Sequence, residues 1–245
     1  MRLALISDIH GNLVALETVL AAIAQRSIDT IICLGDVAAG GPQAVEFIER
    51  LQRLSCPIVM GNTDAKLLTI QPKQYEDIFS QMTHDIDVWC ARQLMDTHRA
   101  YIQAFQPTLT HDLPHNRVLL AYHGSPRSFR ELLLPTTPDE ILEEAFTGFH
   151  ADIMVGGHTH MQMFRRYKDI LVLNPGSVGA SIDRFSPLEK VRNAPWAEYA
   201  ILDTEMNDLH VELFRVPFDI EKFIAITLAS GMPHAEWSAG EWNRV

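Results

Sequence analysis

Cysteine is scarce in this chain of 245 residues, which contains only Cys33, Cys56 and Cys90. The three lie far apart and form no C-x-x-C pair, so neither a disulfide framework nor a structural zinc site is expected. Cys33 falls in the apolar run Thr30–Leu34, which favours a role as a small buried hydrophobic residue. Long apolar runs are lacking too: nothing approaches a membrane span, and Leu3–Ile6 is too short for a signal-peptide core. We therefore expect a cytoplasmic protein with no membrane partner.

Positive charge is also in deficit, with 20 Lys and Arg against 31 Asp and Glu, for a formal net charge of −11. An acidic surface repels polyanions, so broad nucleic-acid binding and a role as a large nuclease are not expected. A small phosphate substrate stays compatible with this charge, because bound metals supply local positive charge. The composition, 47% hydrophobic and 21% charged, is that of a globular protein with a sizeable core.

Short apolar runs alternate with segments of helical periodicity. The predicted strands are Leu3–Ile6, Thr30–Leu34, Pro57–Met60, Arg117–Tyr122, Asp152–Val155 and Ile170–Leu173. This alternation predicts an α/β fold with a mainly parallel sheet, as one domain over residues 1–245. Glu198–Leu202 and Leu209–Arg215 predict a closing hairpin. Residues 65–111 break the rhythm and predict a helical insertion near the rim of a site, with an ordinary packing helix pair as the alternative.

Five polar clusters follow these apolar runs. They are Asp8-Ile9-His10, Gly35-Asp36, Gly61-Asn62, His123-Gly124 and Gly157-His158-Thr159-His160. Aspartate, histidine and asparagine are ligands of divalent metals, and the carboxyl ends of parallel strands meet in one crevice. The candidate metal ligands are Asp8, His10, Asp36, Asn62, His123, His158 and His160. Each cluster alone has an ordinary structural reading, but together they are enough for two metal ions that share a bridging carboxylate.

The series resembles the motifs of the calcineurin-like metallophosphoesterase superfamily. The matching motifs are Asp8-x-His10, Gly35-Asp36, Gly61-Asn62-x-Asp64, His123 and Gly157-His158-x-His160. Gly40-Gly41-Pro42 and Asn174-Pro175-Gly176-Ser177 are similar to its small single-domain prokaryotic branch, often called YfcE-like. The resemblance covers most of the chain and fades across residues 65–111 and in the final segment. It implies a four-layer αββα sandwich with two metals at the strand ends.

The resemblance also implies how the ligands are divided between two divalent ions, which could be Mn²⁺, Fe²⁺ or Fe³⁺, Zn²⁺ or Ni²⁺. One ion would receive Asp8, His10, Asp36 and His160, and the other Asp36, Asn62, His123 and His158. The implied reaction is hydrolysis of a phosphodiester or a small phosphomonoester by a metal-bound hydroxide. Asn62 would be both a catalytic and a substrate-binding residue, since it could neutralise charge on the phosphoryl oxygens.

Thr63 departs from the family pattern, which commonly has histidine at this position. That histidine is often given the role of general acid, and threonine cannot readily donate a proton near neutral pH. Loss of general acid–base help typically costs about 10²–10⁴-fold in rate, mostly for poor leaving groups. Asp64 is a second catalytic candidate that could orient a neighbouring group or water, with helix capping as the alternative. His84, His111 or a group on the substrate could instead supply the proton.

Three weaker signals remain. Arg127 follows the His123 loop and is the candidate contact for a charged part of the substrate, with a solvated surface arginine as the alternative. Asn174 and Gly176 predict a tight turn near the rim. Trp237 and Trp242, near the end of the chain, are expected to dock the tail or to form an oligomer contact rather than to carry chemistry.

A second functional class competes with the enzyme. The resemblance extends to scaffold proteins with the same fold, such as a retromer subunit, and Thr63 is compatible with a catalytically weak binding or regulatory protein. Against this alternative, all seven expected metal ligands are present, and a scaffold has no physical need for them. The sequence thus favours the phosphoesterase.

Overall fold

The computed structural model describes residues 1–184, 192–204 and 209–242. Its helices are α1 (Leu13–Ala24), α2 (Ala44–Leu54), α3 (Asn62–Thr69), α4 (Ile78–Gln93), α5 (Asp96–Gln103), α6 (Asp139–Phe146), α7 (Ile220–Ala229) and α8 (Ala235–Gly240), with a 3₁₀ turn at Pro114–Asn116. Its strands are β1 (Arg2–Ile6), β2 (Thr30–Cys33), β3 (Leu109–Leu113), β4 (Arg117–Ala121), β5 (Ile153–Val155), β6 (Gln162–Tyr167), β7 (Ile170–Pro175), β8 (Ile182–Arg184), β9 (Arg192–Asn193), β10 (Trp196–Asp203) and β11 (His210–Pro217). No helix of the described ranges is both long and apolar enough to cross a membrane.

Two mixed sheets form the centre of the protein. The first has the strand order β11-β10-β1-β2, and the second has the order β3-β4-β5-β7-β6. β1 and β2 are parallel, as are β4, β5 and β7, while the remaining pairings in both sheets are antiparallel. The predicted α/β class is confirmed. The parallel strands β4, β5 and β7 lie inside the second sheet, whereas in the first sheet β1 is internal and its parallel partner β2 is at the edge.

The strand β1 shows how the layers stack. Leu3 and Leu5 lie in the apolar core between the two sheets, whereas Ala4 and Ile6 lie in the core between the first sheet and its helices. A third core packs α6 against the outer face of the second sheet. Successive residues of a strand point to opposite faces, so a strand with an apolar core on each side reads as a continuous apolar run. The layers are therefore helix, sheet, sheet and helix, as the predicted αββα sandwich requires.

Two local predictions need correction. Residues 57–60 form no regular strand: they make single bridges, Ile58 to Cys33 and Val59 to Gln106. Pro57 has no N–H to donate and α3 begins soon after, so the pairing cannot extend. The predicted helical insertion 65–111 is helical in α3, α4 and α5, but its last residues, from Leu109 onward, belong to the edge strand β3. The closing hairpin forms from β10 and β11, and residues 205–208 of its predicted turn lie outside the described ranges.

Candidate metal centre

The loops that follow β1 and β2 carry Asp8, His10 and Asp36, and backbone hydrogen bonds join the two loops. The Asp8 amide donates to the carbonyl of Gly35 at 3.0 Å, and the amides of Ile9 and His10 donate to the carbonyl of Asp36 at 2.9 and 3.1 Å. Because β1 and β2 are parallel neighbours, their carboxyl ends lie at the same sheet edge. The two carboxylates and the first imidazole are therefore brought side by side.

The second sheet delivers the other histidines to the same rim. His123 follows β4, and His158 and His160 follow β5, the parallel neighbour of β4. The Gly157 amide donates to the His123 carbonyl at 2.8 Å. The His158 amide donates to Oδ2 of Asp8 at 2.9 Å, which links the loops of the two sheets. The site thus lies where the carboxyl ends of both sheets meet.

The structure brings together all seven predicted metal ligands. Six of them form two groups of three, Asp8, His10 and His160, and Asp36, His123 and His158, and within each group the ligand atoms lie within 4.8 Å of one another. Nε2 of His10 is 3.1 Å from Nε2 of His160. The seventh residue, Asn62, lies at the first position of α3, and its Oδ1 is 3.1 Å from Nε2 of His123. Asn62 therefore joins the second group.

Both carboxylates face both groups. Oδ2 of Asp36 is 3.4 Å from Nε2 of His123 and 4.0 Å from Nε2 of His10. Oδ1 of Asp8 is 3.4 Å from Nε2 of His160 and 3.9 Å from Nε2 of His123. Asp36 therefore lies between the two groups, where a carboxylate shared by two ions would have to be. Asp8 lies close to the second group as well, which the sequence did not indicate.

Backbone carbonyls orient the imidazoles. Three of the histidines donate a hydrogen bond from Nδ1 to a backbone carbonyl. The pairs are His10 with Ala39 at 3.0 Å, His123 with Leu34 at 2.7 Å, and His160 with Ala180 at 2.7 Å. A carbonyl can only accept, so Nδ1 carries a proton in each of the three and Nε2 is the nitrogen that faces the centre and can bind a metal once it is deprotonated. His158 has the opposite orientation, because its Nε2 donates to the carbonyl of Arg130 at 3.2 Å. Its Nδ1 is thereby left as the ligand atom.

The carboxylate of Asp8 tests whether a metal fits. Its Oδ2 accepts hydrogen bonds from Oγ of Ser7 at 2.5 Å and from the amide of His158. Its Oδ1 is buried and has no hydrogen-bond partner within the described ranges. A buried carboxylate oxygen without a partner is costly, and here it faces imidazole nitrogens whose lone pairs also need a cation. The donor set suits divalent transition metals. Sequence reasoning missed Ser7, because only the fold shows its contact.

Electrostatics support the same conclusion. Burial opposes ionisation of Asp36, but the facing His123 and His10 outweigh it and hold the pKa of Asp36 well below its usual range. Burial likewise opposes ionisation of Asp8, and His160 outweighs it, so the pKa of Asp8 is also lowered. In return, although burial acts to lower it, the charge of Asp36 raises the pKa of His123 to about 10. The buried carboxylates therefore hold positive charge at the positions where metal ions would lie.

The approach of the loops is so close that two glycines are required. A Cβ on Gly61 would lie 2.1 Å from Oδ1 of Asp36, and a Cβ on Gly157 would lie 2.0 Å from Oγ of Ser7 and 2.8 Å from Oδ2 of Asp8. Contacts this short are not tolerated between non-bonded atoms. Any side chain at either position would therefore displace a carboxylate of the centre.

Five of the seven ligands have left-handed backbone conformations. Their φ angles are 53° for Asp8, 49° for His10, 53° for Asp36, 69° for His158 and 55° for His160. This region costs a non-glycine residue about 1–2 kcal/mol. It reverses the chain immediately after each strand and thereby aims the side chains at a common point. Strain concentrated in this way is typical of functional sites.

Asp64 holds the loops together instead of contacting the centre. Its fully buried carboxylate accepts three backbone hydrogen bonds, from Asp36 at 2.8 Å, Val37 at 2.9 Å and Gly61 at 3.1 Å. Burial, with a further contribution from Asp36, raises the pKa of Asp64 to about 7. The bond from Gly61 caps α3, on which Asn62 lies. Of the two roles considered for Asp64, the structure therefore supports capping and positioning rather than catalysis.

Neither the Thr63 side chain nor the two histidines considered as proton donors hydrogen-bonds to a residue of the ligand groups within the described ranges. The Thr63 amide donates to Oδ1 of Asp36 at 2.8 Å, and its Oγ1 is buried with no hydrogen-bond partner in the described ranges. Nε2 of His84 accepts a hydrogen bond from the Lys73 amide at 3.1 Å. His111 lies on the edge strand β3. Neither histidine belongs to the two ligand groups found among the described residues.

Arg127, the predicted substrate contact, is engaged elsewhere. Its Nε and Nη2 donate to the carboxylate of Glu131 at 3.0 and 2.6 Å, and its Nη1 donates to the carbonyl of Glu144 at 3.0 Å. All three guanidinium nitrogens thus have protein partners. The position therefore gives no support to a substrate contact, because binding a phosphate would require breaking these bonds.

The turn at Asn174 serves the architecture, as its sequence indicates. The side-chain nitrogen of Asn174 donates to the Gly157 carbonyl at 2.7 Å and to Oγ1 of Thr159 at 3.1 Å, and its Oδ1 accepts from the Gly176 amide at 2.9 Å. These bonds fix the loop that carries His158. The residue thus positions a metal ligand without facing the centre itself.

Comparisons with known proteins agree with this geometry. A family model described as the calcineurin-like phosphoesterase superfamily domain matches residues 1–207. An uncharacterized protein of Methanocaldococcus jannaschii is 27% identical over 252 residues, which cover 96% of this chain and 94% of the relative. The crystal structure of a metallophosphoesterase from Sphaerobacter thermophilus is similar with a TM-score of 0.74 and 26% identity, over 98% of this chain and 99% of that one. A hypothetical protein from Pyrococcus horikoshii OT3 shares the fold with a TM-score of 0.76 and 18% identity, over 98% and 96%. The resemblance stated from the motifs is confirmed at the level of the superfamily.

Proposed function

We propose that this chain, which belongs to the calcineurin-like phosphoesterase superfamily, uses two divalent metal ions to hydrolyse phosphodiesters or small phosphomonoesters. Family and fold support a metal-dependent phosphoesterase in general terms. The observation that carries the finer proposal is the arrangement of Asp8 and Asp36, whose carboxylates each face both groups of ligands. A shared carboxylate is what two neighbouring cations require, since it reduces their mutual repulsion.

The ligands divide between the two ions as the distances suggest. We place one ion with Asp8, His10, Asp36 and His160 and the other with Asp36, Asn62, His123 and His158. When bound, such ions supply positive charge to the phosphoryl oxygens and lower the pKa of the attacking water. The carbonyls of Ala39, Leu34 and Ala180 keep three imidazoles in the tautomer that binds metal.

Asn62 and Thr63 determine what the protein itself adds to the reaction. The Oδ1 of Asn62 points to the centre beside His123, and its side-chain nitrogen remains a donor for a phosphoryl oxygen. Thr63 provides no acid for the leaving oxygen. We therefore propose that the preferred esters have leaving groups that depart without protonation.

Hydrolysis of bis(p-nitrophenyl) phosphate and p-nitrophenyl phosphate with added manganese tests the proposal. In Asp36→Asn, turnover should fall by about 10²-fold or more, because a bridging charge is lost, and the content of both metals should fall with it. The control is Asp219→Asn, which changes an exposed aspartate that caps α7 and should keep both turnover and metal content.

Near-normal turnover in Asp36→Asn would overturn the two-metal mechanism. If the wild-type protein holds two metals and hydrolyses neither ester, the binding-protein alternative takes its place. Activity on both esters that is lost on chelation and restored by metal supports the proposal.

A further inference from the structure

A pocket of about 160 Å³ lies beside the metal centre, and the hydrolysis proposed above does not account for it. His10, a member of one ligand group, is among the residues that line the pocket. Other lining residues come from α4, which contributes Asp87, and from the segment around α8, which contributes Trp237 and Trp242. The helical insertion and the end of the chain thus enclose a space next to a metal ligand.

The walls of this pocket include rigid aromatic rings. The Trp242 ring is buried and packs edge-on against Phe223, with centroids 5.3 Å apart, and against Phe218 at 5.5 Å. The Trp237 ring packs edge-on against Phe79 at 5.7 Å. The Trp242 ring, which is buried and held by two other rings, loses little freedom when a ligand binds. Flat, fixed walls of this kind favour a planar aromatic ligand, which gains about 0.5–1.5 kcal/mol from each ring contact beyond the area it buries.

The size of the pocket limits what it can hold. An apolar cavity of about 150 Å³ accepts benzene, so a pocket of about 160 Å³ has room for one planar ring with polar substituents. A folded peptide segment or a long acyl chain would not fit within this volume.

The polar groups of the pocket select among planar rings. Asp87 is nearly buried, and its Oδ2 is 2.6 Å from Nζ of Lys66, while Asn193 adds an amide to the lining. Carboxylate and amide oxygens accept hydrogen bonds. Because Asp87 is paired with Lys66, the second carboxylate of the lining, Glu241, adds the negative charge that repels anions. The ring should therefore carry N–H donors, and the phosphate of the same molecule should stay outside the pocket, at the metals.

We propose that this pocket binds a planar nitrogen heterocycle of the nucleobase class that belongs to the phosphate ester hydrolysed at the metal centre. The inference rests on the proposed function and adds the class of its substrate. It also gives the helical insertion and the aromatic residues of the final segment a role in substrate recognition.

Two substrates with the same reporter test the proposal: p-nitrophenyl thymidine 5′-phosphate and methyl p-nitrophenyl phosphate. Both release p-nitrophenolate, so the chemistry at phosphorus is matched and only the second ester group differs. In the wild-type protein, KM for the thymidine ester should be about 10-fold lower or more, as burial and stacking of one ring would give. A phenylalanine introduced by Ser238→Phe, at a residue that lines the pocket, should remove this advantage and leave the methyl ester unaffected.

The matched control is Glu236→Phe, which introduces the same residue at an exposed position of the same helix. It should keep the preference for the thymidine ester. Thr83→Phe fills the pocket from α4 and serves if Ser238→Phe does not fold. Equal KM values for the two esters in the wild-type protein, or the same effect from the filling variants and the control, would overturn the inference.

Binding of thymidine to the metal-loaded protein, followed by tryptophan fluorescence, separates this inference from the proposed function. If neither ester is hydrolysed but thymidine binds in the wild type and Glu236→Phe and not in the filling variants, the proposed hydrolysis fails and the pocket assignment stands. If both esters are hydrolysed alike and thymidine does not bind, the pocket assignment fails alone.

Discussion

Replacement of Asp64 with alanine removes the carboxylate that joins the loops of Asp36 and Asn62. Asp64 is fully buried and accepts hydrogen bonds from three backbone amides, those of Asp36, Val37 and Gly61. A buried donor without a partner costs about 1–3 kcal/mol, so three cost about 3–9 kcal/mol before water enters the cavity. The whole stability of a domain is about 5–15 kcal/mol. We therefore expect Asp64→Ala to be strongly destabilised and to lose metal, although Asp64 binds none itself.

A second capping aspartate supplies the control. Asp219 is exposed and accepts one hydrogen bond, from the Lys222 amide at 2.9 Å, so Asp219→Ala should cost about 1 kcal/mol. Denaturant unfolding of the metal-loaded variants, with metal content determined by plasma emission, measures both effects. Asp64→Ala should cost at least about 3 kcal/mol and lose metal, whereas Asp219→Ala should keep it. Equal losses of stability with full metal content in both variants would refute the role of Asp64 as a clamp.

Two further predictions concern the centre itself. The pKa of His123 is about 10 in the folded protein without metal, against 6.5 for an ordinary histidine. Between these two values the folded state therefore holds a proton on His123 that the unfolded state does not. The stability of the chelated protein, measured by thermal unfolding, should therefore fall as pH rises from 6.5 to about 10. The metal-loaded protein should show no such fall, because metal replaces that proton. A flat profile for the chelated protein would contradict the prediction. Gly61→Ala should lose metal, because its Cβ would lie 2.1 Å from Oδ1 of Asp36. The control Gly240→Ala should keep its metal, because nothing lies within 4 Å of that Cβ. Full metal content in both variants, measured by plasma emission, would contradict the prediction.

The central strands were predictable because both of their faces are buried. β1, for example, reads as Leu3–Ile6 in the sequence and spans Arg2–Ile6 in the structure. The edge strands β3 and β6 were not predicted, since residues that alternate between core and solvent give polar sequences such as Leu109–Leu113 and Gln162–Tyr167. Their strand conformation depends on a neighbouring strand, which no local pattern reveals.

The ligands of the candidate centre were recognisable because each follows a predicted strand. The residues that support them were not, because their roles depend on contacts between distant parts of the chain. Asp64 reaches the amide of Asp36, 28 positions away, and a surface arginine such as Arg127 cannot be told from a substrate contact before its partner Glu131 is seen. The pocket could not be predicted for the same reason, since His10, Asp87 and Trp237, which line it, are far apart in the sequence.

The left-handed conformations of five ligands link metal supply to the amount of protein that a cell can maintain. At about 1–2 kcal/mol each, they sum to about 5–10 kcal/mol, which is comparable with the stability of an entire domain. A cation that binds only the folded state offsets this strain by mass action. When metal is scarce, a larger fraction of the chain would therefore be unfolded and open to degradation. Metal starvation should lower the abundance of the protein, and not only its activity.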